Sequence, residues 1–522
     1  MALDMLSLAK KYAAPKGGVS ASEPMVHVDE VASQVAALYE KVRNVVDYRE
    51  EHLLRKHFIE RAYSRNLVLH GEAKIALPLI KDLIRAGHLK NDTVPERKVA
   101  DVQELVDRSR LLRVSLSAEL APERRRRIEM WLEKIAVQAV EEHLFPPLRD
   151  SLVAETALRT LKDQVVVHGP IPDQEKLSLA VFLGVQRAIL RADDEQIRFR
   201  VFEFLEPGWR TADPEELKAI SLRLPDLRKR LNRSLKDPIQ ESVTRFVSKH
   251  AVIFHVLGDA VKRIEQDDFT EAALRDEQEF EPYLKKAYEK RFAGEKKKLR
   301  RFAILSVSSF FLTKIAFALA LEIPLQKYVL HDFSVLNTIL NVVIPPVLLL
   351  IAVAAIEMPG RKNAERVMEE AAAVAFGKKR EYVLKLPKKG EGAGFGAEMF
   401  YGLMFLVSFG LVSWGLNAIN FNPADIIIFI LFTSLVAATS VRVYNRANQL
   451  SLTQPKRGIL SLIGDALILP FVATGGVIIR GISKFNIFII ATDLLIDLPF
   501  QVFVSFVENV SDFLRGKKEG VA

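Results

Sequence analysis

No cysteine occurs in the 522 residues. That absence excludes disulfides, thiolate metal sites and cysteine nucleophiles. Histidine is sparse too, and its closest pairs, His52 with His57 and His250 with His255, are five apart, off a single helical face. The Glu-x-x-His element of a carboxylate-bridged dimetal site is missing around His57 and Glu60. Residues 390–396 read Gly-Glu-Gly-Ala-Gly-Phe-Gly. They have the glycine content of a phosphate loop, but no strand precedes them and no Lys-Ser/Thr follows, so they read as a linker. No Ser–His constellation stands near an apolar segment. Neither an enzymatic activity nor a cofactor or metal is expected.

A concentrated basic face is also lacking. Residues 1–300 carry 53 Lys+Arg against 49 Asp+Glu, and residues 301–522 carry 21 against 16. The nearly balanced first part argues against nucleic-acid binding, which needs clustered positive charge. The four-arginine run Arg124–Arg127 follows Pro122-Glu123 and reads as the exposed start of a helix.

Long apolar runs are absent before residue 300 and dominate after it. Residues 333–356 and 399–424 hold no charged side chain. Each exceeds the ~20 residues that cross a ~30 Å hydrocarbon core. Six hydrophobic segments are expected: 302–321, 333–356, 399–420, 426–441, 458–479 and 485–507. The last two read either as spans or as a re-entrant or surface-lying hairpin.

Basic residues alternate between the loops. Lys296, Lys297, Lys298, Arg300 and Arg301 precede the first segment, nine Lys+Arg fall in 361–389, and Arg442, Arg446, Lys456 and Arg457 lie between the fourth and fifth. Arg515, Lys517 and Lys518 follow the sixth. The intervening loops hold Lys327, then no basic residue, then Arg480 and Lys484. This predicts six crossings of the cell membrane with both termini cytoplasmic. No secretory apolar core follows Lys10 and Lys11, so the first 300 residues are expected on the side where they are made.

The first part is patterned as helix. Ile128, Trp131, Leu132, Ile135, Ala139 and Val140 recur at three and four. Similar stripes cover 28–46, 52–67, 73–84, 152–161, 177–190 and 242–264. Stops are expected at Gly71, Pro122, Pro146-Pro147, Gly169-Pro170, Pro207-Gly208 and Pro225. Asp173 and Asp213 read as helix caps. Only 165–167 and 201–204 read as strand. The expected organisation is a tail over 1–25 and a cytosolic all-α domain over 26–295, with a subdomain break near 169–170. A membrane domain over 296–514 and a cytosolic tail over 515–522 follow. The basic stretch 280–301 reads either as a helix lying on the bilayer or as a solvated connector.

The sharpest candidates for a site are polar residues inside apolar segments. Lys314, Asp465, Asp493 and Asp497 are costly in lipid and call for partners. Lys314 lies about 12 residues, or ~18 Å, into its span. Asp493 lies about 8 residues, or ~12 Å, from the opposite end of the sixth, so the two depths match. A Lys314–Asp493 pair is expected, with Asp497 as the nearer alternative. Asn337 and Asn341 share one face of the second span. Asn486, Asp493, Asp497, Gln501 and Glu508 share one stripe of the sixth.

Three classes of function fit. The first is a membrane-anchored scaffold or interaction protein, whose helical part binds a protein partner. The second is a transporter or channel using the intramembrane charges, although no inverted repeat is visible. The third, a membrane enzyme, lacks a motif. The bilayer is the expected partner in each case, and a homo-oligomer is compatible with all three.

Overall fold

The computed structural model describes residues 23–28, 51–117, 120–169, 173–266, 274–386, 395–452 and 459–484. The sixth segment, with Asp493 and Asp497, lies outside them, as do residues 29–46 of the first stripe and most of the glycine-rich 390–396. The chain is helical, and the described residues hold only two four-residue strands.

In order, the helices are α1 Glu51–His70, α2 Ala76–Arg85, α3 Arg97–Val114, α4 Pro122–Leu144, α5 Leu148–Gln164, α6 Gln174–Ala188, α7 Asp194–Leu205, α8 Pro214–Leu235 and α9 Pro238–Gln266. Then come α10 Glu277–Phe317, α11 Val335–Ala354, α12 Arg361–Ala375, α13 Phe395–Ala418, α14 Pro423–Ala447 and α15 Ile459–Lys484. Strand β1, Val165–His168, pairs in parallel with β2, Tyr382–Lys385.

Local chemistry sets many of these boundaries. Gly71 ends α1 with φ 71°, a conformation that favours glycine. Asp193 and Gln196 form a capping box at α7, and Asp213 and Glu216 form another at α8, where Pro214 fills the first helical position. Two expectations fail. Residues 201–204 are helical, because the cap at Asp193 starts a helix whose Ile197, Phe199, Val201 and Phe202 face a core. Pro225 does not stop α8: Leu217, Ile220, Leu224 and Leu231 bury one continuous face across it. Next to the start of the expected domain, Pro24 O accepts from Glu96 N and Val26 N donates to Val94 O.

Two compact units emerge, and neither follows the hydropathy boundary at 295. One comprises the described residues within 13–154 and 177–244. Among its described residues it builds two cores. Ile59, Leu79, Leu83, Val102 and Val140 belong to the first, and Trp131, Phe199, Phe202, Trp209 and Leu224 to the second. Trp131 and Phe202 meet edge-on at 5.9 Å.

The other unit comprises the described residues within 155–176 and 245–486. It takes two polar stretches of the first part together with the apolar helices. Gly169 shows why β1 and β2 stay together. Its φ is 131°, and a Cβ there would stand 2.7 Å from Leu386 O. Tyr382 stacks edge-on against His250 of α9 at 5.1 Å.

Among the described residues, five helices are long and apolar enough to cross a membrane, and the first belongs to a continuous helical run, Glu277–Leu330. At the start of its basic stretch the apolar stripe packs on protein. Phe280, Leu284, Ala287 and Tyr288 are buried. Phe280 meets Phe376 at 5.8 Å, and Arg291 bonds Asp259 at 2.6 Å. The first apolar segment also runs past 321: two π-helical turns, Ala318–Glu322 and Leu325–Leu330, carry it on. The charge at Glu322 suggested an end, but that charge is internal.

α14 packs most extensively on α15, and also on α11. Gly475 sits at the α14–α15 crossing, where a Cβ would stand 2.0 Å from Ser434 O and 2.9 Å from Ala438 Cβ. Small residues let these backbones approach, as in other lipid-embedded pairs. Asn363 of α12 pins the chain after α14: its Nδ2 donates to Leu450 O at 2.8 Å, and its Oδ1 accepts from Leu452 N at 2.8 Å.

Candidate functional site

Lys314, in the last turn of α10, has 0% relative exposure. Its Nζ donates to Glu322 Oε2 at 3.0 Å and to Asn341 Oδ1 at 3.3 Å. Asn341 closes the triangle, donating from Nδ2 to Glu322 Oε1 at 2.7 Å. Glu322 and Asn341 are also fully buried. On the remaining side the ammonium lies 4.3 Å from the centroid of Phe432. Phe432 is fixed edge-on by Phe310 and Phe317. A ring face attracts a desolvated cation.

The π turn brings the pair together. Eight residues along a regular α-helix, at roughly 100° each, leave two side chains about 80° apart. The wider turn over Ala318–Glu322 absorbs that offset. Such bulges recur at functional positions. Pro324 follows, where a missing N–H cannot continue a regular ladder.

From this triangle the network continues toward the ends of the helices. Gln326 Nε2 donates to Asp425 Oδ1, and Gln326 Oε1 accepts from Thr338 Oγ1 at 3.1 Å. Gln326 and Asp425 are each 1% exposed. Asp425 lies in the first turn of α14, where its own N–H donates to Asn422 Oδ1 at 2.8 Å. Asn337 Nδ2 donates to Asn420 O at 2.7 Å. Asn420 has φ 60° in the turn before α14, so this bond satisfies a carbonyl in a constrained turn.

Of the residues singled out in the sequence, Lys314, Asn337 and Asn341 meet here. Asp465 stands on α15 in an exposed position, apart from the cluster. The expected partners Asp493 and Asp497 lie outside the described residues; the carboxylate found on Lys314 is Glu322. Glu322, Gln326, Thr338 and Asp425 went unnoticed because the two acids bound the apolar runs and so read as flanks.

His250 Nδ1 donates to Phe246 O at 2.8 Å, and burial holds its pKa below the usual range. Among the described residues no group of His and carboxylates could hold a metal. Arg125 and Arg127 pair with Glu129 and Glu123 along the start of α4, as a solvated helix face would.

The other unit carries a groove of about 710 Å³ along α7 and α8. Leu205, Leu222 and Leu227 give it apolar walls, and Lys229, Arg230 and Arg233 give it a basic rim. Arg223, also on the rim, is held bidentate by Glu206 at 3.1 and 2.7 Å. Leu222 is 60% exposed.

No family model, curated protein or solved structure matches the chain.

Proposed function

We propose that this chain is a multi-pass integral membrane protein whose cytoplasmic helical part is an interaction module held at the bilayer. The topological half of this reading is supported by side-consistency. A strand pair cannot form across a bilayer, so β1 and β2 need an even number of crossings between them. The helical run ending at Leu330 and then α11 supply two. Asn363 and Leu450 need the same, and α13 and α14 supply two more. The basic loops fall on the side of β2 and Asn363, which the positive-inside rule assigns to the cytoplasm. Reading the sixth segment, from its sequence alone, as a further crossing gives two cytoplasmic termini.

The interaction half rests on the groove beside Leu222, an apolar floor with a basic rim on an otherwise charge-balanced surface. Exposed apolar area framed by polar residues marks contact sites. A photo-cross-linking residue at Leu222 is expected to give a discrete protein adduct in cells; adducts with lipid alone would defeat the module. For topology, the cysteine-free chain permits single-cysteine labelling. In intact cells an impermeant maleimide should modify Asp332→Cys and leave Lys379→Cys untouched until lysis. The reverse pattern inverts the orientation.

A second reading, ion or solute transport, is favoured by the fully buried Lys314–Glu322–Asn341 triangle. Ionisable groups inside a span mark transport pathways in many membrane proteins.

A further inference from the structure

The charges in the intramembrane cluster do not balance. Lys314 carries one positive charge, whereas Glu322 and Asp425 carry two carboxyl groups. The ammonium is committed: its hydrogen bonds go to Glu322 and Asn341, and its remaining side faces Phe432. Glu322 is satisfied at both oxygens, one by Lys314 and one by Asn341.

Asp425 is different. Among the described residues the only donor that reaches its carboxyl is the neutral Gln326 amide, and no cation stands within ion-pair distance. The charged groups that face it are Glu322, Lys314 and Asp332, two of the three negative. A bare carboxylate that is 1% exposed in such surroundings is strongly disfavoured. The partial positive charge at the N-terminus of α14 offsets only part of that cost. Even that help is reduced, because Asn422 already takes the Asp425 N–H.

We propose that Asp425 is the seat of a bound monovalent cation, a proton or an alkali ion, held with Gln326 and Thr338. The donor set suits either source. A proton on the second carboxyl oxygen neutralises the group in place. An alkali ion would draw on oxygen, the preferred ligand of hard cations. Asp425 supplies it directly, and Gln326 supplies it after an amide rotation that turns its Oε1 inward. Thr338 Oγ1, now bonded to that oxygen, follows the rotation and either donates to it or ligates the ion. The site goes beyond the interaction reading above, and its failure would leave that reading untouched.

The test uses the full chain in lipid nanodiscs, carrying Glu141→Gln to remove a carboxyl outside the apolar helices that titrates near neutrality. Thermal midpoints are followed between about pH 5 and about pH 9 in sodium chloride and in N-methylglucamine chloride. A bound proton makes the folded state richer in protons than the unfolded chain, so the parent's midpoint falls as pH rises when it is measured against Asp425→Asn, which shares and cancels the opposite slope from His88. An alkali ion makes sodium raise the midpoint over N-methylglucamine at the alkaline end. Asp425→Asn should abolish whichever response is seen, and a proton should also show as a carboxylic C=O infrared band lost in that variant. Identical responses in the parent and in Asp425→Asn would overturn the proposal. If Asp425→Asn does not fold, the parent decides alone. A parent with neither a sodium response nor a buried carboxylic C=O band has no cation at this site.

Discussion

Two buried lysines, one in each compact unit, resolve the same electrostatic problem differently. Lys56 of α1 is 1% exposed and bonds Asp193, with Glu195 at 3.3 Å. Those carboxylates remain 33% and 24% exposed. Lys314 has 0% exposure, and so does its partner Glu322. The cations are equally hidden, but only the first hands its charge to groups that water reaches. Solvent can therefore compensate part of any loss at Lys56 and none at Lys314.

Breaking the second pair should give the largest effect. Glu322→Leu strands an ammonium among apolar helices and is expected to cost about 3–5 kcal/mol, read as lost folded protein in detergent. Adding Lys314→Leu should restore part of it. A double variant as poor as the single would mean that the loss is one of shape and not of charge. Gly475→Ala comes next, at about 2–3 kcal/mol, because its Cβ would meet a backbone carbonyl and not a movable side chain. Its control in the other unit is Gly208→Ala, where nothing lies within 4 Å and no loss is expected. Lys56→Met is smaller, about 1–2 kcal/mol, since water can solvate the released carboxylates. A cost at Lys56 equal to that at Glu322 would remove the contrast.

The smallest effect is a pH slope. Burial, opposed by Arg55 and Lys56, pushes the Glu141 carboxyl up to about 7. Burial, aided by Arg55 and Arg61, pushes His88 down to about 4. The raised Glu141 favours the folded state below the ordinary carboxylate pKa, and that contribution fades as pH rises through about 7. The depressed His88 favours it above the ordinary imidazole pKa, and that fades as pH falls through about 4. Over roughly pH 4.5–6.5 the two oppose each other and flatten the profile. Glu141→Gln should expose a thermal midpoint that climbs with pH in that window. A profile that stays flat would show that His88 is not buried as neutral imidazole.

What the sequence made legible was periodic or local. The stripe on α4, the cap at Asp213, the stop at Gly71 and five apolar segments follow from spacing and from residue chemistry within a few positions. The β1–β2 pairing was not legible, because Val165 and Tyr382 are 217 positions apart and nothing local announces a partner. Half of the intramembrane cluster was missed for a related reason. Hydropathy treats Glu322 and Asp425 as the ends of runs, whereas a π turn folds one charge back toward Lys314. Pro225 misled in the opposite direction: a strong local breaker gave way to a long buried face.

The parallel pairing of β1 with β2 also sets a timetable for synthesis. Val165–His168 leaves the ribosome long before Tyr382–Lys385 exists, and on the proposed topology two apolar segments enter the bilayer in between. Contacts so distant in the chain close late. A valine-rich strand therefore waits, unpaired, throughout those two insertions. A chaperone bound near Val166, or a ribosome stall before residue 382, would hold the protein with its first spans placed and its second unit unfinished.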